Sequence, residues 1–214
     1  YYKDGNEQVR EKVIQDRNEV SYQTALNINT VESFQDFINK YPKAEEVPSA
    51  RENRDALAYE ISSNEHTIQS YKSFIKKYPN AIQVSVARGH IYDIDFENAK
   101  SANKASAYYD HMNAYAKSSH YDEALTLSHD CEFNETIIEN QIESYLEFVN
   151  RFGAKNPNKP IALDTLFNHY EQELNFDGME FCVNKANNKQ RKKLVLRYHD
   201  IYTIDGEWST LNKF

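Results

Sequence analysis

Hydrophobic positions fall into a helical rhythm from Val31 onward. Val31, Phe34, Phe37, Ile38 and Tyr41 stand at i, i+3, i+6, i+7 and i+10, the spacing of one helix face. Asn29-Thr30 offers an N-cap for this helix. Pro42 ends it, because proline has no amide hydrogen and its ring drives the residue before it out of the α region. A second helix is predicted from about Val47, with Pro48 tolerated in its first turn, through Ala50, Leu57, Ala58 and Ile61. Ser62-Ser63-Asn64 closes the unit, and Asn64 or His66 stands near the next cap.

The same pattern then returns. Phe34, Phe37, Ile38 and Tyr41-Pro42 are answered by Tyr71, Phe74, Ile75 and Tyr78-Pro79, while Val47, Ala50 and Arg51 are answered by Val84, Ala87 and Arg88; every pair is 37 positions apart. The second helix of this unit uses Val84, Ala87, Ile91, Ile94 and Phe96. Another step gives Tyr108, His111, Met112, Tyr115, Ala124 and Phe133, with Ala116 in the proline position and Ser118-Ser119 supplying the break and the next cap. A further step gives Tyr145, Val149 and Phe152, with Ile142 and Phe148 on the same stripe. Here Gly153 is expected to end the helix in a left-handed cap. After a longer loop, Pro160 opens a helix whose buried stripe is Ile161, Leu163, Leu166, Phe167 and Tyr170.

The two ends are less regular. Asn6 to Asn27 reads as one helix carrying Val9, Val13, Val20, Tyr22 and Ala25, and in register it is the second half of a unit whose first half is missing. It belongs either to a longer array or to an N-terminal cap with one polar face. Beyond Asn175 the register fails. Met179 to Lys185 and Lys189 to Tyr202 read as two helices, or KKLVLRYHDIYTI as a β-hairpin; neighbouring repeats favour helices. Asp205-Gly206 turns the chain, and Trp208, Leu211 and Phe214 begin a further helix. The expected organisation is a half unit at 6–27, units at 28–63, 64–100, 101–137 and 138–175, and a degenerate repeat or C-terminal extension at 176–214. Self-similarity at this period is the mark of a solenoid, so the predicted fold is all-α: a right-handed α-solenoid of about five antiparallel helix pairs.

Composition narrows the function classes. Having 5 glycines and 5 prolines in 214 residues argues against an all-β protein with many tight turns. A net charge of -8 argues against a dedicated nucleic-acid binder, whose affinity comes from neutralising phosphates. No apolar run reaches the roughly 18 residues of a membrane helix, and the N-terminus is polar, so neither a span nor a leader is predicted within these residues. Cys131 and Cys182 are too few and too distant for a disulfide framework and are expected to be small buried side chains.

The spacing Thr30, Phe34, Phe37, Pro42 resembles the second helix of a tetratricopeptide repeat. The longer period, with its aromatic-x-x-Phe-Ile-x-x-Tyr-Pro-x-Ala signature, is similar to the variant found in bacterial cell-envelope proteins, among them outer-membrane assembly lipoproteins and periplasmic coordinators of the Tol-Pal system. The match is good over Thr30 to Asn98, fair over Ser101 to Asn175 and absent beyond. Phe37 and Phe74 depart from the pattern, standing where a small residue is expected, and no glycine stands at the family's position of close helix contact. The resemblance implies a non-enzymatic protein or peptide binder acting through a concave face. It further implies a periplasmic or outer-membrane-associated setting, with any peripheral membrane attachment lying outside this sequence.

The residues themselves suggest no catalysis. His169 with Glu173, His90 with Asp93, and His129 with Cys131 each lack a third ligand nearby in sequence, so no metal is expected. No GxGxxG, GxxxxGK[ST] or HExxH occurs, no nucleophile box surrounds either cysteine, and no cofactor is expected. Glu45-Glu46 is read as favourable to a helix N-terminus. Phe34, Tyr71, Tyr108 and Tyr145 are assigned to the core between repeats. A sugar-binding surface, the alternative function, would need rings off that stripe, such as Tyr92, Tyr109 or Trp208. Arg51 and Arg88 are expected to pair with acidic residues of the adjoining unit, or else to project into the groove. The block Lys185, Lys189, Arg191, Lys192, Lys193 and Arg197 reads as a solvated face, with docking to an acidic partner or anionic lipid as the sharper alternative. A third reading puts an enzymatic domain outside these residues, with the array positioning it. No catalytic, metal or specific binding residue is singled out, and the oligomeric state is left open.

Overall fold

The structure is a computed structural model that describes residues 2–153 and 156–204. The described residues form eleven α-helices and no strand. In order they are α1 (Tyr2–Ile28), α2 (Val31–Lys40), α3 (Val47–Glu65), α4 (Ile68–Lys77), α5 (Val84–Ala102), α6 (Ala105–Ala114), α7 (Tyr121–Glu139), α8 (Ile142–Arg151), α9 (Lys159–Gln172), α10 (Phe176–Lys185) and α11 (Asn188–Ile204). Short and long helices alternate, and from α1 to α4 and from α6 to α11 each helix packs on the next. This is the all-α repeat of helix pairs that the 37-residue spacing predicts. The segment that read as helices or hairpin is helical, as α10 and α11. The turn at Asp205-Gly206 and the helix expected at Trp208, Leu211 and Phe214 lie outside the described residues. No described helix is long and apolar enough to cross a membrane.

The chain divides into two compact units, Tyr1–Asn98 with Ser118–His120, and Ala99–Lys117 with Tyr121–Phe214. In the first, α2 starts at Thr30, whose side chain accepts the Ser33 amide at 3.1 Å while Ser33 Oγ accepts the Thr30 amide at 3.1 Å. Thr67 and Ser70 repeat this reciprocal box at α4, so the cap is Thr67 rather than Asn64 or His66. Ser33 and Ser70 also donate to Ala25 and Ser62 carbonyls on the preceding long helix, tying cap to neighbour. Tyr22, Ala25, Phe34, Phe37, Ile38, Val47, Ala50 and Leu57 form one cluster across α1, α2 and α3.

The second unit keeps the plan with different chemistry. Lys104 and Gln141, at the starts of α6 and α8, make no side-chain cap. The break read at Ser118-Ser119 is a turn, in which Ser118 Oγ accepts the His120 amide. The core runs from Phe133, Tyr145 and Phe148 through Leu163, Leu166 and Phe167 to Met179, Leu194 and Tyr198. Ile161, expected in the stripe of α9, is exposed, and Ala162 takes its place. Gly178 of α10 lies where an added Cβ would stand 2.5 Å from Cγ of Tyr170 on α9, so this contact between α10 and α9 requires glycine.

How the helices end was the least legible feature. Asn29, His66, Asn103 and Asn140, each 37 positions from the last, have φ of 51°, 46°, 46° and 48°. Each amide donates to the carbonyl four residues back, closing the long helix in the left-handed cap that asparagine adopts at low cost. Gly153, assigned that role in the sequence, does not take a left-handed φ; α8 ends in extended backbone at Phe152. Tyr41 and Tyr78 stop α2 and α4 at φ near -127° and ψ near 60°, and Tyr115 stops α6 at φ -135° and ψ 61° with Ala116, not proline, after it. Ring packing therefore sustains this break without the proline.

Candidate functional site

The ladder assigned to the core is there: Phe34, Tyr71, Tyr108 and Tyr145 are all buried. Three of the helix pairings leave open a groove between the second half of a long helix and the short helix that follows it. One groove of about 250 Å³ lies between α1 and α2, one of about 210 Å³ between α3 and α4, and one of about 150 Å³ between α7 and α8. Their linings correspond position by position at multiples of 37. Thr24 becomes Ile61 and Glu135, Asp36 becomes Ser73 and Glu147, and Phe37 becomes Phe74 and Phe148. Lys40 becomes Lys77 and Arg151, and Tyr41 becomes Tyr78 and Phe152.

Three of these positions hold their chemistry in all three grooves. The phenylalanine floor packs at a tilt against the ring that ends the short helix, with centroids 5.5 Å apart for Phe37 and Tyr41, 5.6 Å for Phe74 and Tyr78, and 4.7 Å for Phe148 and Phe152. The cation lies over that ring, at 5.4 Å for Lys40, 5.3 Å for Lys77 and 5.4 Å for Arg151. Arg17 and Arg54 add a second cation at 4.9 Å and 5.0 Å from Tyr41 and Tyr78. Ser21 Oγ donates to the Tyr41 hydroxyl at 3.1 Å, and this bond, reinforced by Lys40 and Arg17, lowers the phenol's pKa against the opposing effect of desolvation.

The linings differ in charge. In the first two grooves one carboxylate, Asp36 or Glu32, accompanies one lysine. The third carries Glu132, Glu135, Glu139 and Glu147 against Arg151 alone. Glu132 is nearly buried, bridged to Arg151 at 2.8 Å and accepting the Tyr109 hydroxyl at 3.1 Å; Ser144 donates to Glu139. A second set of cavities, about 330 Å³ and 480 Å³, also recurs at 37, one lined by Ile14, Asn18 and Glu46 and the other by Arg51, Asp55 and Gln83. Of these, neither a floor ring nor a cation is kept from one copy to the next.

The histidine pairs read from the sequence mostly separate. His90 Nε2 meets the Tyr59 hydroxyl at 3.1 Å and the ring stacks on Tyr71, while Asp93 pairs with His120 at 2.7 Å. His169 and Glu173 do meet, at 3.2 Å and without a further ligand group; among the described residues no cluster of three ligating side chains occurs. His129 packs edge-on against Phe152, and the Cys131 thiol points instead to Asn103 Oδ1 at 3.6 Å. Both cysteines are buried, as expected. Burial raises the Cys131 pKa and pushes Cys182 up to about 12, so neither is a thiolate at neutral pH.

Arg51 and Arg88, expected to pair with acids of the adjoining unit, are exposed and make no ion pair among the described residues; Arg51 lines the 480 Å³ cavity instead. The basic block is largely engaged within its own unit. Arg191 donates to the Val183 and Asn184 carbonyls at the end of α10, Lys193 bridges Asp164 at 3.4 Å, and Arg197 pairs with Glu171 over the Phe167 ring. Of the rings off the core stripe, Tyr92 and Tyr109 are half-buried and Trp208 lies outside the described residues. The grooves themselves escaped the sequence reading; their signal was present in the lysine or arginine that precedes the aromatic ending α2, α4 and α8.

No protein-family model matches this chain, and no curated protein matches it with significance.

Proposed function

We propose that this protein is a non-enzymatic interaction scaffold that holds a protein or peptide partner in the grooves repeated along its helix pairs. The observation that carries the reading is the recurrence, at multiples of 37 residues, of an open groove with an aromatic floor and a cation at its end. Core packing accounts for the buried ladder, while Lys40, Lys77 and Arg151 hold a positive charge at the groove end, over the ring that closes each short helix. The likeness of Thr30 to Asn98 to tetratricopeptide-type repeats of bacterial envelope proteins supports the same reading and suggests a place in an envelope-associated assembly. The preferred ligand of the first two grooves is an extended segment that lays an apolar side chain on Phe37 or Phe74 and a carboxylate beside Lys40 or Lys77.

Selection of a displayed random-peptide library against the whole chain tests this. Peptides with paired apolar and acidic residues are expected to enrich and to lose binding to Ile61→Asp and Lys77→Glu, both exposed positions that leave the fold intact. Absence of enrichment, or binding indifferent to both substitutions, contradicts the proposal.

A further inference from the structure

The α3–α4 groove and the 480 Å³ cavity meet at Lys77 and Tyr78, which line both. Beyond them the cavity runs between α3 and the loop from α4 to α5, and its wall carries three cations and two carboxylates. Their partners sort these charges. Arg54 is engaged within the fold, donating to Asp55 at 2.7 Å and to Gln35 at 2.8 Å and lying 5.0 Å from the centre of the Tyr78 ring. Arg51, Lys77 and Glu52 are exposed and make no ion pair among the described residues. Ile82, 82% exposed, adds an apolar contact at the same cavity.

The preceding repeat has the opposite character at these positions. Arg51 and Ile82 stand where Ile14 and Glu45 do, and the matching cavity is lined by Glu11, Glu45 and Glu46 against Lys43 alone. The first two grooves share a phenylalanine floor, a tyrosine and a lysine, so their surroundings differ chiefly beyond that lysine.

We propose that the 480 Å³ cavity extends the α3–α4 groove and selects an acidic segment of a partner protein, in which the carboxylate beside Lys77 is followed by a second one on Arg51 and an apolar side chain against Ile82. This rests on the groove function proposed above and sets the charge of its partner. The guanidinium of Arg51 presents a planar fork that a carboxylate meets with two parallel hydrogen bonds. Glu52, in the same wall, weighs against a dense polyanion such as a polyphosphate, and the chain that carries a carboxylate also brings the side chain for Ile82. The same segment is turned away from the α1–α2 groove by the carboxylates of its neighbouring cavity, so one chain offers two similar floors to different partners.

The probe is the displayed random-peptide library, selected in parallel on the whole wild-type chain and on its Arg51→Glu variant. Arg51 is exposed and unpaired among the described residues, so the variant should melt as the wild type does. The wild type is expected to enrich peptides with two acidic residues beside apolar ones, and Arg51→Glu to enrich peptides with a single acid or with lysine or arginine in place of the second. A synthetic copy of the leading wild-type peptide should bind Arg51→Glu roughly tenfold more weakly. Ile82→Asp, at an exposed loop position, should weaken it too, and Glu52→Gln should tighten it. A copy with the second acid changed to lysine should prefer Arg51→Glu to the wild type. Enrichment of the same sequences on both chains, with Ile61→Asp still abolishing binding, overturns this inference and leaves the groove function standing; no enrichment on either chain overturns both. Displacement of the peptide by inorganic phosphate at constant ionic strength would make the cavity a small-anion site, and a dimer dissociated by Arg51→Glu would make a second copy the occupant; either result overturns the inference.

Discussion

The two units solve one packing problem with different materials. In the first, Thr30 and Thr67 cap the short helices with reciprocal side-chain bonds, and Tyr-Pro ends them. In the second, Lys104 and Gln141 cap nothing, and Ala116 and Gly153 stand in for the prolines. Yet the buried aromatic at the head of the short helix persists from one unit to the other, as does the left-handed residue that closes the long helix. What persists is what stacking demands, a large ring between neighbours and a sharp exit from each long helix. Helix caps and groove linings are free to vary because each acts locally.

Removing a shared feature should therefore cost alike in both units. Phe34→Ala and Tyr145→Ala are each expected to lose about 3–5 kcal/mol, read by urea denaturation. A large loss from one and a negligible loss from the other would break the equivalence. Glycine gives a contrast of sign. Gly178→Ala forces a methyl into the Tyr170 ring and should cost about 1–3 kcal/mol. Gly89→Ala, inside α5 with nothing within 4 Å of its new methyl, should gain about 1 kcal/mol.

Alkali should separate the units. The acids whose pKa values burial raises, Tyr108, Tyr109, Cys131, Tyr170, Cys182 and Tyr198, all lie in the second unit. Tyr41 of the first is lowered. A raised acid stays protonated in the fold while the unfolded chain ionises, so its stabilising effect is lost as pH climbs. For Cys182, which moves from 9.0 to about 12, the loss across that window is about 1.4 kcal/mol per pH unit. Hydrogen exchange above pH 9 should show α9 to α11 opening first, and Cys182→Ala should flatten the pH slope even though it lowers stability at pH 7. Uniform exchange across both units would contradict this. The smallest effect is at the caps: Thr67→Ala should cost about 1 kcal/mol and Gln141→Ala almost nothing, by thermal denaturation.

The sequence made the repeat legible because aromatic residues and the Tyr-Pro break recur where packing is tightest. It concealed the helix ends. Asn29, His66, Asn103 and Asn140 look like loop residues singly, and only their spacing betrays a shared conformation, while Gly153 offered the more familiar signal and misled. Burial on α1 was not legible for a related reason. Val9, Val13 and Val20 have helical spacing, but periodicity says which side chains share a face and not whether anything covers it. The grooves were hidden because their linings vary. Thr24, Ile61 and Glu135 share no chemistry, and only superposed geometry shows that they occupy one site.

The central claim is that each 37-residue step is an equivalent unit that stacks on its neighbours in the same register. Deleting residues 29–65 tests it most directly, because Ile28 is then followed by His66 and α1 takes the place of α3 against α4. The account predicts a chain that keeps its helical circular dichroism per residue and melts in one cooperative transition. A chain that loses its cooperative melt, or collapses into a state with helix but no fixed packing, would contradict it.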